Sequence, residues 1–83
     1  MIQMTKEAMI RYNMVCTIGC RAGQMDSMGA IDLPSGSRGE DILAEFAVKT
    51  MESYRAEESD ICFDEYIEAA LMKKFPKGGS QYE

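Results

Sequence analysis

Ile10-Arg11-Tyr12-Asn13-Met14-Val15-Cys16-Thr17-Ile18-Gly19-Cys20 is the stretch on which the fold turns. Ile10, Tyr12, Met14, Cys16, Ile18 and Cys20 fall on one side of an extended chain, with Arg11, Asn13, Val15, Thr17 and Gly19 on the other. Val15 alone in the second set is strongly apolar. Unbroken alternation with several β-branched side chains predicts a half-buried strand over residues 10–20. The rival is a helix opening near Thr5, ahead of the good helix formers Glu7, Ala8 and Met9. As a helix, however, the same residues scatter apolar groups around most of the circumference, so the strand is the expectation.

Downstream, Ala22-Gly23-Gln24 reads as a turn and residues 25–33 as a weaker second strand, with Gly29 marking a bulge. Pro34-Ser35-Gly36-Ser37-Arg38-Gly39 is rich in turn formers. Ser37-x-x-Glu40 has capping-box spacing. Leu43, Phe46, Ala47, Met51 and Tyr54 then recur at helical spacing to about Glu58. A third element is expected to start at Ser59 or Asp60, and a single long kinked helix through this region is the alternative. Phe63, Ile67, Leu71 and Phe75 follow at four-residue steps, widened by Tyr66 and Ala70. Lys73 and Lys74 suit a helix C-terminus and Pro76 stops it. The predicted fold is α+β: a β-hairpin followed by two amphipathic helices, compact over residues 1–75, with 76–83 a flexible polar tail. Reading residues 10–20 as a helix makes it an all-α three-helix protein instead.

Eighty-three residues, 46% of them apolar and seven aromatic, support one small core. Homodimerisation is the expected way to bury more surface, through the strand edge at residues 10–20. No apolar run reaches the ~20 residues of a membrane span. Met1 to Glu7 lacks the layout of a secretory signal, so a cytoplasmic location is expected. Cys16, Cys20 and Cys62 are too few for a disulfide framework and read as free, buried structural thiols. Cys16 and Cys20 have a spacing that zinc sites use, but there is no histidine in the chain to complete a tetrahedral set. The lack of histidine also removes the usual general base and nucleophile pairs. No enzyme, cofactor or metal is expected. The loop before Glu40 has no P-loop lysine, and Glu40 and Asp41 stand where a phosphate would sit.

Charge is the strongest functional signal. Residues 40–68 hold ten acids against Lys49 and Arg55, a net charge of −8 in a chain of net −5. Glu45, Glu52, Asp64, Glu65 and Glu68 lie off the apolar stripes and are the candidate partner-binding residues. They are expected to form an acidic helical face that engages the basic surface of a host nucleic-acid-binding protein by mimicking nucleic acid. Direct nucleic-acid binding is disfavoured, because phosphate contacts need cations. The expected role is that of a small, acidic, non-enzymatic protein-binding module. Its style matches phage and mobile-element inhibitors, including anti-CRISPR proteins.

One local motif points elsewhere. Asp26-Ser27-Met28-Gly29-Ala30-Ile31-Asp32-Leu33 resembles the prosthetic-group site of acyl and peptidyl carrier proteins, which carry Asp-Ser-Leu or Asp-Ser-Met at the start of a helix. The resemblance implies a phosphopantetheine arm on Ser27. A homodimeric structural or regulatory subunit is a further alternative.

Overall fold

A computed structural model describes residues 4–58 and 60–78. It contains three helices, α1 Lys6–Ser27, α2 Gly36–Glu57 and α3 Phe63–Lys74, packed as a bundle. Among the described residues the β-type pairing consists of an isolated bridge between Ile31 and Pro76. The β-hairpin is therefore overturned, and with it the strand edge proposed for dimerisation.

The physical reason lies in which residues α1 buries. Ala8, Arg11, Val15, Ile18, Ala22 and Met25 recur at three- and four-residue steps, and all are buried or half-buried. Of the alternating set, Ile18 is fully buried and Met14 half-buried, while Ile10, Tyr12, Cys16 and Cys20 are exposed. The core stripe and the alternation thus share Ile18, with Met14 packed at the edge of the core, and Ile10, Tyr12, Cys16 and Cys20 lie on the outside of the helix. Thr5 starts α1 by accepting a hydrogen bond from the Ala8 N–H at 3.1 Å. The expected turn at Ala22-Gly23-Gln24 is helix interior. Residues 25–33 are the end of α1 and a tight turn, not a second strand. The Ala30 N–H donates to the Met25 carbonyl at 2.9 Å, and Gly29 adopts φ +79°, a conformation that glycine takes without a steric penalty.

Ser35 occupies the N-cap position of α2, so Ser37 and Glu40 lie inside the helix and the expected capping box does not start it. At Gly39 a Cβ would stand 2.5 Å from the Pro34 carbonyl oxygen, so the close approach of loop to helix requires glycine. α2 ends at Glu57, and Glu58 turns the chain with φ +50°, which rules out one continuous helix. α3 begins at Phe63 with Cys62 at its N-cap position, later than the Asp60 start expected; Ser59 lies outside the described residues.

The core gathers Ile18, Ala22 and Met25 from α1, Ala47 and Met51 from α2, and Ile67 and Leu71 from α3. Ile31 and Phe75, from the segments flanking α2 and α3, close it. Phe75 meets Phe46 edge-on at 5.2 Å between ring centroids, and its carbonyl accepts from the Asp32 N–H at 3.2 Å. Beyond Pro76, the Gly78 N–H donates to the Asp32 carboxylate, which holds the described start of the tail against the α1–α2 connection. Residues 79–83, the rest of the expected tail, lie outside the described residues. No helix among the described residues is long and apolar enough to cross a membrane.

Candidate functional site

The five candidate acids are distributed over all three seams of the bundle. Glu52, on α2, accepts from Arg11 of α1 at 3.1 Å. Glu68, on α3, pairs with Arg21 of α1. Asp64 lines a hollow of about 400 Å³ together with Cys16, Cys20 and Arg21 of α1. Glu45 stands 3.7 Å from Lys49, one turn further along α2, and Glu65 lines the groove between α2 and α3. A third pair across α1 and α2 joins both Glu7 carboxylate oxygens to Arg55, which holds Glu7 below the usual carboxylate range. Exposed pairs of this kind are screened by solvent and add little to stability, so their main effect is on register. They also neutralise Glu52 and Glu68 within the chain.

Acids left without such an arginine gather at the turn joining α2 to α3, with Glu40 and Asp41 exposed separately early in α2. Glu58, Asp60, Asp64 and Glu65 are all exposed at that turn. Aromatic packing builds this end. The Tyr54 ring lies 4.8 Å from Phe63 and 5.0 Å from Tyr66, and its hydroxyl donates to the Ile61 carbonyl at 2.9 Å. The Tyr66 hydroxyl donates to Glu57 at 2.9 Å; burial first, and this carboxylate second, raise its phenol above the ordinary range.

From that acidic end a groove of about 750 Å³ runs along the seam between α2 and α3. Its lining is mainly apolar: Phe46, Ile61, Tyr66, Ala69 and Ala70. The two alanines create the depth, because larger side chains there would fill it. Lys73 and Lys74 stand at the far end. A smaller hollow of about 250 Å³ continues past Phe46 and Lys74 to Ile42 and Lys49. The groove therefore has an apolar floor, an acidic end and a basic end. Glu65 is the one candidate acid that lines it. Phe46, Tyr66 and Ala70, assigned to apolar stripes by spacing, serve as its walls, being half-buried and not enclosed. The sequence signal for the groove is the adjacent small pair Ala69-Ala70 beside a widened stripe.

The cysteines also differ from expectation. Cys16, Cys20 and Cys62 are free but all exposed, not buried core thiols. Cys16 and Cys20 sit on the side of α1 away from Ile18 and Ala22, and Cys62 precedes α3. A hydrogen bond from Tyr12 to Cys16 raises the Tyr12 phenol above its ordinary range. Ser27 is exposed and is the last residue of α1, so it closes a helix where the carrier-protein motif would open one. Asp26 accepts from the Leu33 N–H at 3.3 Å, a structural use of the motif's acid. Among the described residues no three His, Cys, Asp or Glu side chains are grouped to hold a metal ion. No protein-family model, no curated protein and no solved structure matches the chain.

Proposed function

We propose that the protein is a non-catalytic binding module whose partner presents a basic-ended amphipathic helix to the groove between α2 and α3. The observation that carries this reading is the groove itself, apolar along its floor, acidic at the α2–α3 turn and basic at Lys73 and Lys74. α3 has 12 residues, and at about 1.5 Å per residue it offers a wall roughly 18 Å long, enough for about three turns of a partner helix. Helix-in-groove recognition reads apolar anchors at i, i+3, i+4 and i+7, and the charged ends fix orientation. A partner helix with acids in its first turn and Lys or Arg in its last is favoured by its own dipole. Such a helix docks antiparallel to α3, with its basic end over Glu65 and the exposed Asp60 of the α2–α3 turn. This retains a basic protein partner, as in inhibitors of nucleic-acid-binding proteins, but places the contact in the groove and at one pole of the bundle.

The test uses a labelled 12-residue peptide with leucines at those anchor spacings, glutamates at its N-terminus and lysines at its C-terminus. A control peptide carries glutamates at both ends. Fluorescence anisotropy is expected to show binding of the first and at least about tenfold weaker binding of the second, a gap that narrows with added salt. Ala69→Arg, at an exposed position in the groove, is expected to abolish binding while leaving the helical circular dichroism spectrum unchanged. Equal affinity for Ala69→Arg and wild type overturns the reading.

A further inference from the structure

We propose that Cys16 and Cys20 form a two-thiolate site for a soft monovalent cation of linear coordination, with Cu(I) as the ion it takes. Both thiols are exposed, stand one turn apart on the outer side of α1 and line the same hollow against α3. Geometry separates this role from a disulfide. On a helix, positions four apart place their Cβ atoms about 5–6 Å from one another. A disulfide needs about 3.5–4.5 Å, so oxidation of the pair to a disulfide requires α1 to distort. Two metal–thiolate bonds laid end to end, taken at the zinc–thiolate length of about 2.3 Å each, place the sulfurs about 4.6 Å apart, which the intact helix accommodates.

The choice of ion follows from the ligands. Thiolate is soft and favours Cu(I), zinc and iron–sulfur centres, and of these Cu(I) takes the linear geometry that two sulfurs complete. Zinc requires a tetrahedral set of four, and the described residues group no three candidate ligands. Binding replaces two S–H bonds with two Cu–S bonds and releases two protons. The resulting bis-thiolate centre carries one negative charge, in a hollow lined by both Asp64 and Arg21, the latter paired with Glu68. Cys62, at the N-cap of α3, has no thiol partner one turn away and serves as the internal control.

The experiment titrates the reduced protein anaerobically, under ascorbate, with Cu(I) held as its coloured bathocuproine disulfonate complex, and follows loss of the colour. The expected result is one Cu(I) per chain, with helical circular dichroism retained. Loss of an outer ligand partner typically weakens metal binding 10–100-fold, so removing a thiolate itself in Cys16→Ser or Cys20→Ser is expected to cost at least about 100-fold. Cys62→Ser is expected to bind as wild type does. The double variant Cys20→Ser/Thr17→Cys keeps two thiols on α1 but turns them about 100° apart, and it is expected to lose the site. Wild-type affinity in that double variant, a loss in Cys62→Ser equal to that in Cys16→Ser, a stoichiometry of one ion per two chains, or no transfer of Cu(I) would each overturn the proposal.

Discussion

Phe75→Ala is expected to destabilise the protein by about 3–5 kcal/mol, the range for emptying a buried aromatic site. Phe75 is fully buried although it lies just beyond α3. Its ring packs edge-on against Phe46 of α2, and its carbonyl receives the Asp32 N–H from the α1–α2 connection. This one residue therefore joins the end of α3 to α2 through its ring and to the segment that carries Ile31 through its backbone. Small domains hold about 5–15 kcal/mol in total, and a chain of this length belongs at the low end. The variant is then expected to be largely unfolded at 37 °C, with its urea midpoint moved down by more than half. A midpoint lowered by less than a tenth would show that the end of α3 does not close the core.

The second large effect separates the two readings of residues 10–20. Ile18→Ala is expected to cost about 2–5 kcal/mol, because Ile18 is fully buried among Ala22, Ala47, Met51 and the α3 residues. Cys16→Ala and Cys20→Ala are expected to stay within about 0.5 kcal/mol, as exposed positions do. A half-buried strand places all three on one face and gives them comparable costs. Urea unfolding of the three variants, monitored by circular dichroism, measures the difference. Similar losses at 16, 18 and 20 would contradict the helix.

The same residues show how much of the architecture is legible in sequence. α3 is legible because its stripe, Phe63, Ile67, Leu71 and Phe75, is regular and ends at Lys73, Lys74 and Pro76. α2 is legible for the same reason through Ala47, Met51 and Tyr54, although Ser35, not the better-looking Ser37, stands at its N-cap. α1 is not. Its outer side carries Ile10 and Tyr12, exposed by 40% and 61%, and these apolar residues complete a period-two pattern that packing does not use. Periodicity reports where apolar residues are, not which of them find a neighbour. An exposed apolar side chain and a buried one are identical in sequence.

The candidate site has the same character. The acid cluster is visible from residue counts, but its division among the seams depends on Arg11, Arg21 and Arg55, whose partners Glu52, Glu68 and Glu7 are distant in sequence. Spacing within one helix cannot report such pairs. The groove is hidden for a different reason. Its volume comes from what Ala69 and Ala70 lack, and small residues carry no pattern of their own.

The most direct test of the groove as the binding surface is a titration of ¹⁵N-labelled protein with the glutamate-to-lysine amphipathic peptide, followed by amide chemical shifts. The predicted result is a contiguous set of perturbations at Phe46, Ile61, Tyr66, Ala69, Ala70 and Lys73, with the outer side of α1 near Met9 and Tyr12 unchanged. Perturbations confined to α1, or spread evenly over the exposed acids of all three seams, would contradict it.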